Sequence, residues 1–380
     1  MTDMNEERRT LLKASLVPLL LSVCPGLGCS GSQSSSKIAS DYRTETVLYP
    51  DGSTGTFTRG GATARNARGE SGIRIIQPRD PSALLQRITR NGYADALANA
   101  AFLHVRDNYS KVKSVPIWKK PLSQIDLAPR LKLIARAAIR GAVDSASIWP
   151  VDPVWIMGQI MTESFYDEFA ISPSLAVGCC QFIAGTGRQY GLVCADPRTL
   201  AQVASSDIAA ADQLREALSN HRKRYADLFG KPSTVLRAML SDYVAGKPLT
   251  QAGSYLQADR DLDSLQARYK EARNKAFARL QENFRNRSIF NPSDVAFLER
   301  FDQRALPSYC VPAMFKMMAN LLRDRNGNIL AATAGYNAGP GRTKFDFGVY
   351  LRYGRIPDIG ETVTYVSRTV INHCEIERRM

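Results

Sequence analysis

Asp152-Pro153-Val154-Trp155-Ile156-Met157-Gly158-Gln159-Ile160-Met161-Thr162-Glu163-Ser164 is the stretch from which the fold can be read. Asp is a preferred helix N-cap, and proline at the first helical position forfeits no hydrogen bond, so a helix opens here. Its Ile and Met faces are apolar nearly all round, which predicts burial. A carboxylate near the end of such a helix is an anomaly. On one reading Glu163 is a surface residue past the helix end, or a partner of Arg188. On the other, burial and the negative end of the helix dipole raise its pKa and suit it to acid chemistry.

Outward from that helix the pattern stays helical. Leu84, Leu85, Ile88, Tyr93, Leu97, Ala100 and Leu103 recur at helical spacing, as do Leu131, Leu133, Ile134, Ala137, Ile139 and Val143, and both sets read as core faces. Between 201 and 297, Leu214, Leu218, Tyr225 and Leu228 form one narrow seam. Leu262, Leu265, Tyr269, Ala272, Ala276, Leu280 and Phe284 form another, which predicts an antiparallel helical hairpin. Its outer faces are expected to carry Arg222-Lys223-Arg224, Arg268, Lys270, Arg273, Lys275, Arg279, Arg285 and Arg287, either as a solvated face or as a patch for anionic polymer or headgroups. The fold class expected is mainly α.

The 380 residues, 44% apolar, suffice for a sizeable core. A net charge of +14 draws the chain to polyanions without choosing among nucleic acid, anionic lipid and wall polymer. With only His104, His221 and His373, a His-rich metal site or a Ser-His-Asp triad is not expected. Dinucleotide and Walker-type glycine loops are missing, as is a basic, aromatic-interleaved module for nucleic acid. Neither cofactor nor metal is expected.

Glu7-Arg8-Arg9-Thr10-Leu11-Leu12-Lys13 precedes a short apolar run to Val23, broken by Pro18. Basic start, apolar middle and small-residue exit over residues 1–29 describe an export signal, and the arginine pair resembles the twin-arginine type, which carries proteins that fold first. Gly26-Leu27-Gly28-Cys29 resembles a lipobox, with Gly26 where leucine is usual, so a lipidated Cys29 would anchor the chain to membrane. Residues 30–80 read as a tether, with a small hairpin from Thr46–Tyr49 to Gly55–Thr58 around Pro50-Asp51-Gly52-Ser53.

Three segments together resemble the lytic transglycosylases. Thr162-Glu163-Ser164-Phe165, then Ser172-Pro173, then Gly178-Cys179-Cys180-Gln181 are similar to the family's Glu-Ser, Ser-Pro and Gly-Leu-Met-Gln. Ala334-Gly335-Tyr336-Asn337-Ala338-Gly339-Pro340-Gly341 resembles its Ala-Tyr-Asn-Ala-Gly-Pro-Gly block, and Glu361-Thr362 with Tyr365-Val366 its Glu-Thr-x-x-Tyr-Val segment. Cys179-Cys180 stand where Leu-Met is usual, Ile183-Ala184 replace Met-Pro, and Gly335 replaces alanine. The resemblance implies a lysozyme-like catalytic domain, begun by residues 81–200 and completed by 298–380, with 201–297 as an inserted helical hairpin. It implies Glu163 as catalytic acid/base. It makes Gln181 a substrate-binding amide, Ser172 a hydroxyl near the N-acetyl group, Tyr336 a hydrogen-bond partner of Glu163 or the sugar, and Asn337 the holder of its loop. Glu361 and Tyr365 belong either to substrate binding or to packing.

The implied reaction cleaves peptidoglycan glycan strands between N-acetylmuramic acid and N-acetylglucosamine, leaving 1,6-anhydro ends, in the periplasm or cell envelope. A hydrolytic muramidase like the goose-type lysozymes is the rival on the same fold. A non-catalytic wall-binding scaffold is the rival of another class. An oxidising destination permits a disulfide, expected between Cys194 and Cys310, which bracket the insertion. Export is expected to depend on the arginine pair. Replacing Arg8→Lys together with Arg9→Lys should retain the protein in the cytoplasmic fraction, and unchanged fractionation would point to a general secretory route.

Overall fold

The computed structural model describes residues 43–48, 54–59, 74–195, 205–229, 232–249, 251–344 and 352–380. Arg8, Arg9, Cys29 and the turn at 50–53 lie outside them. The described chain is mainly helical. A two-stranded antiparallel ribbon, β1 (Arg43–Leu48) with β2 (Thr54–Arg59), pairs Arg43 with Arg59 and Leu48 with Thr54, where the sequence predicts a hairpin.

The helices are α1 (Ser82–Ile88), α2 (Tyr93–Tyr109), α3 (Leu127–Ser145), α4 (Pro153–Ser164), α5 (Ala184–Gln189), α6 (Ser205–Arg224), α7 (Ala226–Phe229), α8 (Pro232–Val244), α9 (Ala252–Phe284), α10 (Pro292–Phe301), α11 (Pro307–Asp324), α12 (Ile329–Ala338) and α13 (Gly360–Glu377). Two compact units emerge. One contains the residues up to Ser172 with Ala176–Val193 and Ile289–Met380; the other contains Cys194–Ser288 with Pro173–Leu175.

In the first unit α4 is the centre. Asp152 caps it, its side chain accepting from the Val154 amide at 2.9 Å, and Pro153 follows at the first position. Every residue from Pro153 to Met161 is buried, as expected of a helix apolar all round. It ends where Phe165 turns left-handed (φ 51°). Helix α13 packs along α4, α11 along α3, and α12 along both α11 and α13. Helix α12 begins at Asn328, whose side chain accepts from the amides of Leu330 and Ala331. Residues 75–77, at the end of the stretch read as a tether, pair with this corner: the Gln77 amide donates to Gly327 O at 2.8 Å, and the Ile329 amide to Ile75 O at 3.0 Å.

The core faces expected upstream are largely buried, including Leu97, Ala100, Leu131, Ile134 and Ala137. Val143 is the exception and lies exposed. Immediately before it, Gly141 and Ala142 are buried, and the Gly141 backbone lies against Phe315 and Pro312 of α11.

In the second unit α6 packs on α9, and Arg279 near the end of α9 pairs with Asp207 near the start of α6, so the two run antiparallel. The connection is more than a turn, since it contains α7 and α8. Arg273, expected on the outer face, is buried and lies over the Tyr269 ring at 5.9 Å. A guanidinium over an aromatic face is a pattern that charge counting cannot reveal.

The expected Cys194–Cys310 disulfide does not form. Cys310 points inward from α11 and meets Cys179, Sγ to Sγ, at 3.5 Å. No helix among the described residues is long and apolar enough to cross a membrane.

Helices α4 and α13 approach closely at Gly158. A Cβ built there would lie 2.7 Å from the backbone nitrogen of His373 and 3.1 Å from its Cα. Gly158→Ala must therefore push α13 away. The expected cost is about 1–3 kcal/mol, the usual range for overpacking, seen as a lower Tm, with a larger proportional loss of any activity that needs both helices. An unchanged Tm would show that the contact is slack.

Candidate functional site

Glu163 sits in the last turn of α4, partly exposed, while Met161 before it and Ser164 after it are buried. Its carboxylate is held from α13. The Tyr365 hydroxyl donates to Glu163 Oε1 at 2.6 Å and accepts from the Gln159 side-chain amide at 2.9 Å. Because the Tyr365 oxygen already receives a proton from Gln159, its own O–H is free to point at Glu163. Oε1 is thereby fixed as an acceptor, and a proton carried by Glu163 belongs on Oε2. Gln159 lies one turn before Glu163 on the same helix face. A buried amide in an otherwise apolar helix was the available signal for it, and the sequence reading passed over it.

The segment after α4 doubles back on itself. Isolated bridges join Ile171 to Val177 and Val177 to Phe182, and the Gly178 amide donates to Ala170 O at 2.9 Å. Gly178 has φ +82°, and a Cβ there would lie 1.8 Å from Arg304 O, so no other residue fits. The Ser172 amide donates to Ala176 O, and its Oγ accepts from the Ala176 amide at 3.0 Å, closing the Ser-Pro turn. Both amide hydrogens of Gln181 go to main-chain carbonyls, Gly178 O at 2.8 Å and Ala170 O at 3.2 Å. Only its carbonyl oxygen remains for a contact with substrate.

Two hydroxyls tie this loop to the helices. Ser164 Oγ donates to Cys179 O at 2.9 Å, and Tyr336 Oη to Cys180 O at 2.7 Å. Tyr336 thus spends its proton on the main chain and not on Glu163; the tyrosine that holds Glu163 is Tyr365. Burial pushes the Tyr336 hydroxyl pKa well up, and the nearby Cys180, Glu163 and Tyr365 add to it, so it stays a neutral donor. Asn337 Oδ1 accepts from Thr362 Oγ1 at 2.9 Å, joining the end of α12 to the start of α13. Glu361 lies partly buried in the first turn of α13.

Arg304 braces the same loop from the other side. It forms a buried ion pair with Asp302 at 2.5 Å and donates to Phe182 O at 3.0 Å. Neither residue belongs to a motif, and nothing in the sequence marks them.

The two carboxylates beside Glu163 are already engaged. Glu168 is buried under Arg130, whose Nε lies 2.9 Å from both of its oxygens. Asp167 accepts the Phe169 amide at 2.9 Å. Burial raises the Asp167 carboxyl to about 6, Glu168 adds to the rise, and the Phe169 hydrogen bond with Arg130 and Lys120 opposes it.

The arrangement is therefore one accessible, positioned carboxyl with a tyrosine donor, beside a glycine-built loop whose two carbonyls are pinned. No curated protein and no solved structure matches the chain. Residues 144–247, which include Glu163, Ser172 and Gln181, match the family model described as Transglycosylase SLT domain. Over those residues the chain is similar to a transglycosylase SLT domain, consistent with the lytic transglycosylase family and its lysozyme-like superfamily.

Proposed function

We propose that this protein is an exported lytic transglycosylase, a carbon–oxygen lyase that cuts peptidoglycan between N-acetylmuramic acid and N-acetylglucosamine. The observation that carries the reading is the Gln159–Tyr365–Glu163 chain of hydrogen bonds, which fixes one carboxyl at the end of a buried helix. Glu163 would give its Oε2 proton to the glycosidic oxygen as the C1–O bond breaks. The N-acetyl carbonyl of the muramyl residue then supports the positive charge at C1. Glu163, now a carboxylate, takes the proton of the muramyl C6 hydroxyl as that oxygen bonds to C1. The product is the 1,6-anhydro sugar, and no water enters.

The rival hydrolysis needs a second carboxylate to activate water. Glu168 is neutralised by Arg130, and Asp167 is occupied by the Phe169 amide, which favours the one-carboxylate route. Periplasm or cell envelope is the matching destination, with a lipidated Cys29 as its anchor.

Glu163→Gln should keep the fold and abolish cleavage. General acid–base help is worth about 10²–10⁴-fold, and here one group serves both steps, so the loss should reach the upper end or beyond. Turbidity clearance and product mass on purified peptidoglycan test it. Near-normal cleavage by a folded variant sinks the assignment, and reducing ends from the wild type move it to hydrolysis.

Asp167→Asn should leave cleavage nearly intact. It keeps the Oδ1 acceptor for Phe169 and removes a carboxyl whose folded pKa, about 6, exceeds its unfolded value. Such a group is protonated in the folded state below its folded pKa, so it lowers stability as pH rises from about 4 to 6. The variant should therefore gain on the order of 1–2 kcal/mol at pH 7, shrinking to nothing near pH 4. Denaturant melts at both pH values would show it. A gain independent of pH would mean that Asp167 does not titrate as described.

A further inference from the structure

Three thiols lie together behind the loop. Cys179 and Cys180 sit where the loop turns, and Cys310 faces them from α11. All three are fully buried, and their sulfurs lie within 4.8 Å of one another. Cys179 Sγ is 3.5 Å from Cys310 Sγ and 3.8 Å from Cys180 Sγ. The shorter pair spans 131 residues of sequence.

We propose that Cys179 and Cys310 are the two halves of an intramolecular disulfide, with Cys180 left as the third, reduced thiol. Closing the pair from 3.5 Å to the ~2.0 Å of a disulfide needs only a small side-chain movement. The bridged product is neutral, which suits a site with no exposure. A metal ion held by all three sulfurs would instead gather thiolates where the charged group bearing on Cys179 is the Glu168 carboxylate, of the wrong sign.

Because the thiols are buried once the domain closes, a chain exported already folded must open locally in the oxidising envelope for the bond to form. One cysteine thiolate attacks the disulfide of an external thiol–disulfide oxidant, expelling one of its sulfurs as thiolate. The second cysteine thiolate then attacks the mixed disulfide and expels the other. The two thiol protons are released, two electrons pass to the oxidant, and the oxidant leaves as a dithiol.

The bridge would also act on the site. Cys179 O and Cys180 O are the acceptors for Ser164, next to Glu163, and for Tyr336. Tying Cys179 to α11 fixes those carbonyls covalently and closes a loop that contains Cys194–Ser288 of the second unit.

The test is to refold the full chain in a glutathione redox buffer, alkylate it in denaturant and map the peptides. The expected result is a cross-linked pair containing Cys179 and Cys310, lighter by two hydrogens than the free peptides. The Cys180→Ser variant should keep the link, and if that variant does not fold, fragmentation between residues 179 and 180 of the wild-type peptide locates the bond. Reduction should lower the Tm by roughly 5–10 °C. Three alkylated thiols, a link through Cys180, or a native mass carrying a metal ion that these thiols release on alkylation would each overturn the proposal.

Discussion

The bare backbone at Gly158 is the constraint on which the site depends. Only a glycine lets α13 come within contact of α4 at His373, and that approach brings the Tyr365 hydroxyl to the Glu163 carboxylate two turns further along. A hydrogen bond of 2.6 Å tolerates little slack. The separation of two helix backbones thus sets the geometry of one proton. The same interface is reinforced by Asn372, whose amide reaches Thr162 at 3.0 Å, while the Trp155 indole N–H ties α4 to α12 through Thr333 at 3.0 Å.

The loop that follows α4 is stabilised by a different means. It has little regular structure, so its main-chain groups need partners from elsewhere. Gln181 supplies two donors, Ser164 and Tyr336 one each, and the Arg304 guanidinium another. Several side chains expected to meet a substrate are instead occupied with building the loop. In a small site these duties are compatible: a side chain that orders the wall also sets where its remaining polar atom points.

Much of this was legible in the sequence, and the reasons are physical. Asp152-Pro153 carries its own cap chemistry, and the apolar run behind it can only be a buried helix, so α4 and its carboxylate follow from local rules. Helical periodicity likewise exposes the seam of α6 and α9. What stayed hidden depends on contacts distant in sequence. Whether Tyr336 or Tyr365 faces Glu163 is decided by helix packing across about two hundred residues, and both tyrosines carry the same side chain. The Asp302–Arg304 pair and the inward turn of Arg273 are equally invisible, because a charge pattern says nothing about which charge is covered. Cys310 faces Cys179 and not Cys194, because bracketing a stretch of sequence does not say which way a side chain points.

The ladder at Val193 and Gln303 has a consequence for how this domain can change over time. The Gln303 amide donates to Val193 O at 2.8 Å, and the Val193 amide to Gln303 Oε1 at 2.9 Å. The chain leaves the first unit after Val193 and is back in it from Ile289, and this doubly bonded pair holds the two passages together. Closing a longer excursion costs only a logarithm of its length. The stretch from Cys194 to Ser288 can lengthen, shorten or be exchanged for another module while Asp302, which holds Arg304 against the Gly178 loop, stays with the first unit. Evolution is therefore free to treat the stretch from 194 to 288 as cargo, while the handle that carries it stays the same.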